Sequence, residues 1–194
     1  MKPLRSLAFA VALFGVAAPA FAQSAPEWAM QAEDSALAFT ASQSGSPVKG
    51  RFQQFQATIF FDPDDPAAGS LEVTIAMASA TTDDSSRDQT LKGPDLFHVE
   101  EHPQAVFKAD RFEKAEGENA YIAPGELTLR GVTNPLDLPF TLQIEGSGAG
   151  AIARAQGSVS IARLDYGVGQ GDWRDTGTVA DAVEIAIDVT AVRQ

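Results

Sequence analysis

The segment His98-Val99-Glu100-Glu101-His102 holds the only two histidines of this 194-residue chain. It fits the H-x-x-E-H pattern in which two imidazoles hold zinc beside a glutamate. That chemistry needs both histidines on one face of a stable helix, with the glutamate next to the metal-bound water. Pro103 follows His102 directly and biases residue 102 away from helical angles. The segment also falls between a helix stop at Gly93-Pro94 and an expected strand. It therefore reads as a solvated connection, with no metal assigned. A His-dependent triad would have to draw on the same two residues.

Other groupings are weaker. Asp62-Pro63-Asp64-Asp65 brings carboxylates together, but it lacks the ligand spacing and the glycine of a calcium loop and reads as a charged turn. Gly167-Val168-Gly169-Gln170-Gly171 does not open a helix, so it lacks the setting in which glycine-rich backbone cradles phosphate. P-loop, G-x-S-x-G and dinucleotide fingerprints are absent. The reading is non-catalytic, with no catalytic residues and no cofactor.

The elements that would position any site follow from composition and periodicity. With 44% hydrophobic and 21% charged residues, the chain has an ordinary globular balance. Its beginning differs. Lys2 and Arg5 precede an apolar stretch at 7–16, and Ala20-Phe21-Ala22 supplies a small-residue cleavage signal before Gln23. This predicts a secretory signal peptide over 1–22 and a single domain over 23–194. The chain has no cysteine, so no lipid anchor at the cleavage point and no disulfide is expected. We expect a soluble periplasmic protein.

The net charge is −12. Loss of Lys2 and Arg5 with the leader takes it to about −14. Such a surface repels phosphate backbones and anionic lipid, which excludes nucleic acid as a partner.

Beyond the leader, short alternating runs are split by turn signals, the pattern of an all-β domain. Leu136, Leu138, Phe140, Leu142 and Ile144 alternate with mostly polar residues, and Val183, Ile185, Ile187 and Val189 do the same around Glu184 and Asp188. Residues 71–77 carry the same period, and weaker runs fill 35–41, 48–61, 105–112, 121–129 and 151–161. Each such strand has one dry face and one wet face. The spacing of Phe52 and Phe55 breaks the period, which predicts a β-bulge there. Residues 82–85 offer N-cap side chains for a short helix over 86–92, stopped by Gly93-Pro94.

The count is roughly eight strands and one short helix. Periodicity alone leaves a two-sheet sandwich and a closed barrel both open. Ala153, Ala155, Gly157, Val159 and Ile161 put small residues on one face, which leaves room either for a ligand or for neighbouring phenylalanines.

Several segments together resemble the YceI-like family of periplasmic polyisoprenoid-binding proteins. They include Gly50-Arg51-Phe52, Phe61-Asp62-Pro63, Arg87-Asp88 with Leu91, and Asp95-Leu96-Phe97. Residues 125–133, Gly-Glu-Leu-Thr-Leu-Arg-Gly-Val-Thr, match the family's hairpin signature, and 161–168 resemble its late strand-to-loop motif. Order and spacing hold over nearly the whole of 23–194.

The resemblance implies an extended antiparallel lipocalin-like β-barrel of about eight strands, with one or two short helices and a long apolar tunnel. It implies a long-chain lipid ligand: a polyisoprenoid, an isoprenoid quinone or a similar chain. The glycine-rich insert at 169–176 departs from the simplest family pattern. It is similar to a segment of relatives associated with membrane b-type cytochromes, which by analogy suggests such a protein as partner and a quinone-like ligand.

Strand parity then nominates the lipid-binding residues: Phe39, Phe52, Phe55, Ile59, Val73, Ile75, Phe107, Leu127, Leu138, Phe140, Ile161 and Ile185. Plain core packing is the alternative for each. Arg87 and Asp88 stand as head-group contacts or as a local pin for the helix, and Trp173 as a gate at the mouth or as loop packing. Two alternatives to carriage stay open: an exported hydrolase using the cavity as a substrate tunnel, and an interaction module with a self-filled barrel.

Overall fold

The computed structural model describes residues 25–194. The expected leader and its cleavage point lie outside the described residues.

The alternating runs form twelve strand segments: β1 (Glu27–Met30), β2 (Ala36–Gln43), β3 (Ser46–Phe52), β4 (Phe55–Phe60), β5 (Ser70–Ala76), β6 (Ala80–Thr81), β7 (Gln104–Ala109), β8 (Glu113–Lys114), β9 (Ala120–Leu129), β10 (Val132–Glu145), β11 (Ile152–Ala162) and β12 (Ala182–Arg193). Eight of them pair antiparallel in the order β1-β4-β5-β7-β9-β10-β11-β12, and β12 returns to β1 through Trp28↔Arg193 and Met30↔Ala191. The ring closes. The architecture is the lipocalin-like barrel, and the sandwich is excluded.

Four more segments appear than the sequence suggests: β6 and β8 are two-residue pairings, and two breaks, before β2 and between β3 and β4, supply the others. β12 is long enough to serve both halves of the first strand. Its end pairs with β1, and Glu184–Asp188 pairs with β2, across a 3-10 turn at Ala32–Asp34. The second break corrects the expected bulge. The chain leaves the ladder at Gln53 and Gln54, with β3 passing to β6 (Phe52↔Ala80) and β4 to β5 (Phe55↔Ile75). Ser79 fills the gap: its carbonyl accepts from Gln53 N at 3.2 Å and its hydroxyl from Gln54 N at 3.1 Å. Two residues thus face the four of 76–79, more than a one-residue bulge supplies.

The helix α1 (Ser85–Lys92) starts one residue earlier than its expected bounds, capped by the Asp84 carboxylate accepting from Arg87 N at 2.9 Å. It is fastened to β6 by Asp88, whose oxygens accept from Thr81 Oγ1, Thr82 N and Thr82 Oγ1, each at 2.7 Å.

One end of the barrel is plugged by aromatic rings. Phe61 meets Phe112 and Tyr121 edge-on at 5.1 and 5.3 Å, and Tyr121 stacks on Phe140 at 5.7 Å. Trp28 completes the plug and donates Nε1 to Phe61 O at 2.9 Å. Three glycines set strand spacing at inward positions. A Cβ at Gly50 would strike the Phe39 ring, one at Gly125 the Lys108 carbonyl, and one at Gly157 the Pro139 carbonyl. Gly157 therefore admits close backbone approach; it does not widen the interior.

Candidate ligand-binding cavity

The inward faces of the strands do not meet. They surround a cavity of about 460 Å3, lined almost entirely by apolar side chains. A second space of about 100 Å3 lies toward the aromatic plug. Leu37, Val73, Leu138 and Ile187 line both, forming a waist between an upper and a lower chamber. The inward residues Val183, Ile185 and Ile187 of β12 stay only half-buried, although they lie on the dry face. In a self-filled barrel such side chains would be fully covered.

All twelve residues nominated by parity line these spaces. Phe39, Phe52, Ile75, Phe107, Leu127, Ile161 and Ile185 face the upper chamber, Phe55, Ile59 and Phe140 the lower one, and Val73 and Leu138 the waist. Of the small residues on β11, Ala153 and Ala155 line the lower chamber and Val159 the upper.

The upper chamber opens beside α1. Asp84, Ser86, Arg87 and Thr90 line it and are exposed, and half-buried Trp173 and Val179 face the same space. Arg87 belongs to this rim, its guanidinium 3.9 Å from the Asp84 carboxylate. Asp88 does not line the cavity. Its carboxylate is taken up by Thr81 and Thr82, which hold its pKa below the ordinary carboxylate value, and it pins the helix.

Arg163 was not nominated, and it is the most unusual residue of the lining. It is 3% exposed, with Nε donating to Ala180 O at 3.0 Å, Nη1 to Val168 O at 2.9 Å and Nη2 to Val179 O at 2.8 Å. Burial pushes its pKa down, with Asp181 opposing, yet a guanidinium starts high enough to stay charged. Its three carbonyls bracket the 169–179 segment, so this side chain shapes the loop that carries Trp173. The signal was available: Arg163 continues the parity of Ala153 through Ile161, and a charge on a dry face marks an ordered role.

The loop is also tied to the turn after α1. Gly169 N and Gln170 N both donate to Asp95 O, at 2.9 and 2.8 Å, and Arg130 Nη2 donates to Pro94 O at 2.7 Å.

A barrel that closes on itself, encloses an apolar cavity and opens beside one short helix agrees with a match to the YceI-like domain over residues 28–191. The chain belongs to that family. This YceI-like chain is 33% identical over 147 residues to a UPF0312 protein of Pseudomonas paraeruginosa, covering 75% of this chain and 74% of the relative. Its fold is similar to that of Burkholderia cenocepacia BcnA, with a TM-score of 0.76, 31% identity, and coverage of 83% of this chain and 98% of BcnA. A polyisoprenoid binding domain from Saccharophagus degradans, at 16% identity and TM-score 0.65, shares the fold over 87% of this chain and 99% of its own.

Proposed function

We propose that this protein binds one long-chain apolar lipid, a polyisoprenoid or an isoprenoid quinone, and carries or stores it without chemical change. The observation that carries the reading is the two-chamber apolar interior with a single polar rim. A chain threaded from the rim toward the aromatic plug removes its surface from water at about 25 cal/mol per Å2. Binding then needs few directed contacts, and a head group carrying oxygen atoms stays at the rim, within reach of Arg87 and Thr90. At roughly 30 Å3 per heavy atom, the upper chamber takes about 15 atoms, on the order of three isoprene units, before the waist must open. The Saccharophagus degradans domain of the same fold binds polyisoprenoid, which supports the ligand class. Export to the periplasm, read from the leader, belongs to the same proposal.

The test is organic extraction and mass spectrometry of the protein purified from its native host. An isoprenoid lipid at near one equivalent is expected. An empty extract, with no uptake of farnesol or a short-chain ubiquinone in vitro, would overturn the reading.

A further inference from the structure

Pro103 follows His102 in the segment after α1. The chain nonetheless closes one turn there. Glu101 N and His102 N both donate to His98 O, at 3.1 and 2.8 Å. The bond from His102 requires helical angles only at the residues between its partners, so His102 can turn extended before Pro103 without losing it. The two imidazoles thereby stand on the same side, ring centroids 5.8 Å apart, and His98 Nδ1 lies 3.1 Å from Glu101 Oε2.

One donor atom from each of His98, Glu101 and His102 lies within 4.8 Å of the others. Two ligands of one tetrahedral zinc ion, each at about 2.0–2.1 Å from it, stand a little over 3 Å apart. The His98–Glu101 pair already has that spacing. Gly131, at the tip of the β9–β10 hairpin, has no side chain to occupy the space against the His102 ring; a Cβ there would stand 3.0 Å from Cε1.

The segment that leads into the cluster is held to the barrel. His98 N donates to Gly93 O at 2.8 Å and Phe97 N to Leu91 O at 3.0 Å, while buried Leu96 and Phe97 and the core-packed Val99 anchor the segment to the barrel. The turn therefore does not have to be ordered by the ion.

We propose that His98, Glu101 and His102 form a binding site for one borderline divalent transition-metal ion, zinc above all, with its remaining position open to water. Two imidazoles and a carboxylate suit such an ion, whereas magnesium and calcium prefer oxygen ligands throughout. None of the three residues lines the lipid cavity, so the site stands apart from the proposed carriage.

The test uses tag-free protein stripped with chelator and titrated with cobalt(II), then zinc. The d–d bands of four-coordinate cobalt are expected to saturate at one equivalent and to vanish as zinc displaces it. The His98→Ala, His102→Ala double variant should weaken binding by more than about 100-fold, and Glu101→Gln by about tenfold, with melting temperatures and lipid uptake unchanged. Absence of the bands in the unaltered protein, or their persistence at one equivalent in the folded double variant, would overturn the site.

Discussion

The Arg163 guanidinium occupies the space that a side chain at Gly169 would need. A Cβ on Gly169 would collide with Arg163 Nη1 and lie 2.8 Å from the Trp173 carbonyl, and the backbone at Gly169 has φ +117°. The glycine and the buried charge are thus one device, which folds the 169–179 loop over the barrel mouth. Gly169→Ala is expected to destabilise the protein by about 2 kcal/mol or more, through a strained φ and a displaced Arg163. Arg163→Met removes the donors of three carbonyls and should cost about 3 kcal/mol. Urea unfolding measures both losses. Because the loop carries Trp173, its tryptophan fluorescence should also become more solvent-exposed; an unchanged emission spectrum in Arg163→Met would refute the loop role.

The inward glycines should respond unequally to a methyl group. At Gly125 the obstacle is the Lys108 backbone carbonyl, which cannot move without disturbing β7. At Gly50 it is the Phe39 ring, which borders the upper chamber and can swing into it. Gly125→Ala is expected to cost about 2–3 kcal/mol and Gly50→Ala less, the latter with a loss of lipid capacity. Equal stability losses with unaltered lipid uptake would contradict this account.

Asp88 gives a pH dependence whose sign follows from its partners. Hydrogen bonds from Thr81 and Thr82 lower its folded pKa below the unfolded value of about 3.9. Its contribution is therefore present in full above that value and fades as pH falls through the folded pKa. Asp88→Ala should cost about 1–2 kcal/mol at pH 7. The difference from the unaltered protein should shrink below about pH 4. A gap that stays constant from pH 7 to pH 3 in denaturant melts would exclude the carboxylate as the pin.

On the proposed carriage, the waist is expected to set the length of chain the barrel takes. Leu138 faces both chambers from β10 and pairs in register with Ala123, which is fully buried beside it. Leu138→Trp is expected to block the lower chamber and lower affinity for chains beyond about three isoprene units at least tenfold, sparing farnesol. Leu138→Ala should extend the preferred length at a cost of about 2–3 kcal/mol in stability. A competition series of prenyl alcohols of increasing length checks both; equal losses for short and long chains would remove the waist from the explanation.

The strand faces were legible because a period of two is local. Leu138 and Phe140 must share a face wherever β10 lies, and the same holds for Val183, Ile185 and Ile187 on β12. The helix at Ser85–Lys92 was legible from Asp84 and Gly93, which act within one turn of it. The phase change between Phe52 and Phe55 was visible too, but its cause was not. The gap is filled by Ser79, some 25 residues away, and no local pattern reports such a partner. The closed turn from His98 to His102 was not legible, because Pro103 restricts residue 102 alone and the bond depends on the residues between its partners.

The amino-acid sequence by itself determined which side chains would be dry, and the order of the strands that carry them. Whether those dry faces would meet or stand apart was decided only by closure. The return of β12 to β1 removes the free edges along which two sheets could slide together, and the ring circumference holds the faces at a distance their side chains do not span. The buried setting of Arg163 was decided at the same level, because its three carbonyls converge only once the 169–179 loop has folded back across the mouth.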